Sequence, residues 1–134
     1  MGDIGFKAIF AEEVTMTVSQ GSDMDMPMQW LVDTVAVPFI TDGWDARAQL
    51  RSRPGSTIWL SLTTTADANG NVITLEDDGR ITIHIDHLET EGTAWDAASR
   101  AEGRWDLEMI DPTGSPQRLV MGPVKVSQDV TRAI

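Results

Sequence analysis

Residues 103–132 read GRWDLEMIDPTGSPQRLVMGPVKVSQDVTR, and their periodicity decides the fold. Trp105, Leu107 and Met109 take every second position, with Asp106 and Glu108 between them. That is the period of a strand with one buried and one wet face. Asp111-Pro112-Thr113-Gly114 is a turn sequence, and Leu119, Met121, Val124 and Val126 lead back in the same apolar register. The stretch predicts a β-hairpin that faces inward with Trp, Leu, Met and Val, and it carries no obvious chemistry of its own.

The same period extends upstream. Val14, Met16 and Val18 alternate with polar residues, Gln20-Gly21-Ser22-Asp23 reads as a turn, and Met24, Met26, Met28 and Trp30 alternate again, which predicts an antiparallel pair. Pro27 lacks an amide donor and suits an edge strand or a bulge. Val35 to Ile40 is apolar and reads as extended. Ala46, Ala48 and Leu50 predict one more strand; Ile58, Leu60 and Leu62 predict another, with Trp59 on its opposite face. Asn69-Gly70 suits the positive φ angles of a tight hairpin, Asp77-Asp78-Gly79 is a further turn, and Ile81, Ile83 and Ile85 form a clean strand. Only Thr93 to Arg100, Ala-rich behind a Thr cap, reads as helix. About seven to nine short strands with one short helix near residues 93–100 predict an all-β, antiparallel sandwich or barrel over residues 13–132, without parallel pairing. Residues 1–12 stand apart as an arm or extra strand.

Composition narrows the function. The 134 residues suffice for one domain with a real core. Twenty-one acids against 10 bases give a formal charge of −11, which argues against binding nucleic acid or an anionic membrane. There is no cysteine, so disulfides and thiolate chemistry are excluded. No signal peptide and no apolar run near the roughly 20 residues of a membrane helix are visible. The five Trp residues and the row Met24, Met26, Met28 are expected in the core.

Candidate chemistry is sparse. His84 and His87, with Asp86 and Glu89, offer metal-ligand types, but strand alternation would place the two histidines on opposite faces unless the chain turns at Asp86. Asp67, Asn69 and Asn71 followed by Glu76, Asp77 and Asp78 faintly resemble a calcium loop, with the glycine misplaced. Asp106 and Glu108 share an outward face and read as solvated charge rather than an acid–base pair. No catalytic triad, phosphate loop or HExxH is present, so no enzyme, no cofactor and no metal are expected.

Two segments carry a resemblance. Gly43 to Arg51, GWDARAQLR, and Gly103 to Arg132 resemble the G-[YW]-x-A-x-x-Q-[IL]-R strand and the closing G-x-[YW]-D-L-E-[LM]-x-D-P-x-G and G-x-V-x-V-S-x-x-V-T-R signatures of an immunoglobulin-like β-sandwich module recurrent in tailed-phage and prophage virion proteins. Val37 to Gly43 departs from that family's usual run. The resemblance implies a non-enzymatic structural protein of the virion, made in the host cytoplasm, that works as a tail, baseplate or collar adaptor or attachment module. It implies homo-oligomers, with copies of itself and other virion proteins as partners. A capsid decoration protein and a calcium- or carbohydrate-binding module are the alternatives. The contact surface is expected on the apolar arm, at Ile4, Phe6, Ile9 and Phe10, and on Trp59.

Overall fold

The computed structural model describes residues 4–6, 12–52, 57–96 and 102–127. Strand β1 (Ile4–Phe6) is followed by β2 (Glu12–Glu13), β3 (Met16–Ser19), β4 (Met24–Val32), β5 (Val35–Ala36) and a single helical turn α1 (Phe39–Asp42). Then come β6 (Asp45–Ser52), β7 (Ile58–Thr63), β8 (Val72–Leu75) and β9 (Arg80–Ile85). A second helical turn α2 (His87–Thr90) and a 3-10 turn (Thr93–Asp96) precede the closing hairpin β10 (Glu102–Ile110) and β11 (Pro116–Ser127). The protein is an all-β sandwich. One sheet runs β1-β4-β9-β8 with β5 on β4, and the other runs β2-β11-β10-β6-β7 with β3 on β11.

The strands form where the apolar period is two, and their inner faces make one core. Met28, Ile73, Ile81, Ile83 and Ile85 from the first sheet meet Met16, Val18, Ala48, Leu50, Leu107 and Val124 from the second, all nearly fully buried. Trp30, Trp59, Trp95 and Trp105 are buried, as expected of large aromatics. Trp30, Trp44 and Phe39 cluster at one end, with Trp30 and Trp44 edge-on at 5.2 Å between ring centroids. Met28 is core, and Met24 and Met26 lean against it.

Several expectations are corrected. Eleven strands are present among the described residues rather than seven to nine, because the additional ones are two to four residues long and too short to show a period. Phe39–Asp42 and His87–Thr90 are helical turns, and the helix read at 93–100 is a 3-10 turn at Thr93–Asp96, with residues 97–100 outside the described ones. β3 and β4 do not pair. Turn 20–23 instead crosses between sheets, and β3 joins β11 in parallel, Met16 opposite Val124 and Val18 opposite Val126. β1 and β2 also pair in parallel, with β4 and β11. Parallel neighbours need a long connection, and strands from opposite ends of the chain have one. Asn69-Gly70 is likewise a crossover between sheets, not a hairpin.

Two β-bulges explain the face errors. The register between β6 and β7 slips at Leu50/Arg51, so Leu50 faces Leu60 and Arg51 faces Ile58. Trp59 is the extra residue, so it turns inward beside Leu60 while Ile58 is left 55% exposed. The slip between β10 and β11 at Leu107/Glu108 does the same for adjacent Leu119 and Val120. Trp59 is therefore core and cannot serve as the exposed contact expected of it.

Ile4 and Phe6 lie in β1, the extra strand on β4; Ile9 and Phe10 lie outside the described residues. The β4–β5 hairpin turns on Asp33 and Thr34 with φ of 51° and 68°, a conformation that costs a residue bearing a Cβ about 1 kcal/mol. Thr34→Gly is expected to raise the melting temperature by a few degrees in calorimetry, on the order of 1 kcal/mol. A fall would show that the Thr34 side chain holds the turn.

Candidate functional site

β9 ends at Asp86, and there the chain turns. Asp86 is extended (φ −77°, ψ 150°) and its carboxylate accepts from the Leu88 amide, which caps α2. The turn brings both histidines onto one residue. His84 Nε2 lies 3.1 Å from Asp86 Oδ1, and His87 Nδ1 lies 3.3 Å from Asp86 Oδ2. Two acids from the start of β4 and the turn before it complete the group: Asp25 meets His84 Nδ1 at 2.7 Å, and Asp23 meets His87 Nδ1 at 2.8 Å. Asp23 also accepts from the His87 amide, and Glu91 stands 3.7 Å from His87 Nε2.

His84 thus has a carboxylate in hydrogen-bond reach of both ring nitrogens, which favours the imidazolium, whereas His87 is hydrogen-bonded at Nδ1 and has Glu91 only as a longer ionic neighbour of Nε2. The Asp86 hydrogen bond is the largest influence and raises His84; burial opposes it, and the Asp25 hydrogen bond adds to the rise. The Asp23 hydrogen bond raises His87. In return, Asp23 is lowered chiefly by His87, and Asp86 chiefly by His84.

The sign for stability follows. The two raised histidines stabilise fully below their ordinary 6.5 and lose that contribution as pH climbs through their folded values. The two lowered acids stabilise above their ordinary 3.8 and lose it as pH falls through their folded values. Both sets act together only in the mildly acidic window. The melting temperature is therefore expected to be higher at about pH 5.5 than at about pH 8.5, with His84→Asn plus His87→Asn removing most of that difference. An unchanged or rising melting temperature over that interval in the parent would contradict the assignment.

A second network lies beside the first. Glu89, expected near the histidines, points away: Oε2 accepts from Trp95 Nε1 at 2.9 Å, and Oε1 accepts from Asn71 Nδ2 at 3.0 Å and Asn69 Nδ2 at 3.1 Å. Asn71 is 1% exposed and bonds three ways, its carbonyl accepting from the Asp86 amide and its amide also donating to Asp67. Burial alone would raise Asp67, but hydrogen bonds from Asn71, Asn69 and Gly70 hold it low. Gln20 donates to Asp96, and the Gly21 amide donates to the buried Thr90 hydroxyl. These bonds tie the turn before β4, the crossover before β8, α2 and the 3-10 turn into one polar end. Glu89→Ala would strand the Trp95 and Asn71 donors, and is expected to cost about 2 kcal/mol in chemical denaturation. A loss below about 0.5 kcal/mol would mean that water replaces the carboxylate there.

The calcium-like stretch does not form one loop. Asp67, Asn69 and Asn71 cap a turn at one end of β8, while Asp77 sits beyond its other end. Asp77 accepts from the Thr41 and Ile40 amides and the Thr41 hydroxyl, and these bonds hold its carboxyl low. Among the described residues, Asp23, Asp86 and His87 form the group whose ligand atoms, within 4.8 Å of one another, could hold a metal ion. Those same atoms already make ion pairs with one another. Asp106 and Glu108 lie in an ionic ladder with Arg47 (2.9 Å from Glu108), Arg51 (3.6 Å from Asp106) and Arg118 (3.7 Å from Asp106). Asp23, Asp67, Asp77 and Asp86 are all held low, the wrong direction for a general acid.

No family model matches the chain, and no curated protein matches it. Among solved structures, the fold is similar to the N-terminal domain of phage TP901-1 ORF48. The two superpose with a TM-score of 0.52 at 6% identity, over 92% of this chain and 95% of that one. At that identity the likeness is one of fold.

Asp23, Gln20, Asn71 and Thr90 were not legible as members of the polar end. Asp23 is 64 residues from His87 in sequence, and Gln20 is 76 from Asp96. The one local signal was the possible turn at Asp86, and the structure makes it.

Proposed function

We propose that the protein is a non-enzymatic structural component of a tailed-phage virion, present in several copies at the tail, baseplate or collar as an adaptor or attachment module. The supporting observation is the sandwich it has in common with a phage protein domain across almost the full length of both chains. The signatures at Gly43 to Arg51 and Gly103 to Arg132 point the same way. The polar end fits such a role, because its hydrogen bonds and ion pairs join loops to strands and stiffen the block. In this reading the chain contributes shape to neighbouring virion proteins and to copies of itself, with the arm residues Ile4, Phe6, Ile9 and Phe10 as one contact.

Negative-stain microscopy of purified particles with gold-labelled antibody against this chain tests the reading. Label at the tail or its junctions is the expected result. Particles that never take label, while the protein is abundant in the lysate, would refute it.

A further inference from the structure

The chain has no cysteine and two histidines, and both histidines stand at the polar end. An imidazole ligand for a transition metal can be offered only there. The turn at Asp86 cancels the strand alternation that would have kept His84 and His87 on opposite faces, so both converge on one carboxylate.

Two carboxylates meet on the ring of His87. Its Nδ1 lies 2.8 Å from Asp23 Oδ1 and 3.3 Å from Asp86 Oδ2, and the three residues offer ligand atoms within 4.8 Å of one another. Tetrahedral bonds of about 2 Å set ligand atoms roughly 3.3 Å apart, so small shifts seat one ion between them. The ligands come from the turn before β4, the residue after β9 and the first residue of α2. Each is also steadied from behind. Asp23 Oδ1 accepts from the His87 amide at 2.8 Å, and Asp86 Oδ2 accepts from the Leu88 amide at 3.1 Å while its Oδ1 faces His84 Nε2. Glu91 stands 3.7 Å from the far ring nitrogen, His87 Nε2. A carboxylate behind a histidine orients the ring and makes it a better ligand. The side chains of Asp23 and His87 are 51% and 45% exposed, so an ion can enter from solvent and keep water on its open side.

We infer that Asp23, Asp86 and His87 bind a divalent transition cation, zinc foremost, through one oxygen of each carboxylate and Nδ1 of the imidazole, with water as the remaining ligand. The ion takes the place of the Nδ1 proton that the same carboxylates face, so ion pair and metal site are alternative uses of one geometry. Calcium does not suit the group, because it takes about six to eight oxygens and has little use for a ring nitrogen. Bound there, the ion clasps the turn that crosses between the sheets against α2. This site goes beyond the adaptor reading and does not rest on it.

The full chain, stripped with a chelator and titrated with zinc chloride, tests this. Calorimetry should show a single zinc per chain. About a hundredfold excess over the dissociation constant should raise the melting temperature by on the order of 10 °C, and the same excess of calcium by less than about 2 °C. Ring-nitrogen NMR of isotope-labelled histidine in the parent chain should show zinc moving Nδ1 of His87 and leaving Nδ1 of His84 in place. Asp23→Asn and, separately, His87→Asn should each weaken zinc binding more than about tenfold while keeping the parent circular dichroism. If either variant fails to fold, the ring signals of the parent decide. A parent whose melting temperature and ring signals zinc leaves unmoved, several weakly held ions per chain, ring signals that move at His84 alone, folded variants that bind zinc as the parent does, or calcium acting as zinc does would each overturn the inference.

Discussion

Gly122→Ala is expected to lower the unfolding free energy by about 3 kcal/mol, and the melting temperature by on the order of 10 °C. A Cβ at this position would fall on the Val14 carbonyl oxygen, 2.7 Å from its carbonyl carbon and 3.0 Å from its nitrogen. All three are backbone atoms, so no side chain can swing aside. Val14 is held from two directions: its amide donates to the Met121 carbonyl at 2.8 Å, and its carbonyl accepts from Trp105 Nε1 at 2.9 Å. Relief therefore requires lifting the chain before β3 off β11, which breaks both bonds and loosens the buried Met16 and Val18. Trp105→Phe separates the two contributions, because it removes the indole donor and keeps a ring in the core. It should cost about 1–2 kcal/mol. A Gly122→Ala protein that melts within about 2 °C of the parent would show that the N-terminal strands are not seated there.

Trp59→Ala should cost about 4 kcal/mol, and Trp59→Phe clearly less. The indole is 8% exposed and stands edge-on to Trp95, with 6.1 Å between ring centroids. It also lies over the backbone of β10 at Gly103, where a Cβ would meet ring carbons at 2.5 and 2.7 Å. Trp95 in turn donates to Glu89, so truncating Trp59 opens a cavity at the root of the polar end. The loss should appear as unfolding at lower denaturant with an unchanged slope. If the variant instead keeps its stability and fails only to assemble, Trp59 is an interface residue after all.

What was legible in the sequence was local. The alternation of Trp105, Leu107 and Met109, of Ala46, Ala48 and Leu50, and of Ile81, Ile83 and Ile85 each placed the buried face correctly. A strand's own period reports its two faces without reference to any neighbour. Partners were not legible. Met16 and Val18 suit either a hairpin with β4 or an edge on β11, and only the packed sandwich chooses β11. The bulges at Trp59 and Leu119 arise from pairing across strands, and each shifts one side chain against the period. The histidine–carboxylate cluster was half visible for the same reason: Asp86 adjoins both histidines in sequence, whereas Asp23 and Asp25 arrive from another strand.

The central claim is that this chain contributes a rigid shape to a particle and performs no reaction. Quantitative mass spectrometry of gradient-purified virions tests it most directly. The expected result is the intact chain co-sedimenting with infectious particles at a fixed ratio of several copies to each. Its absence from those particles, with the protein left in the soluble fraction of the lysate, would contradict the claim.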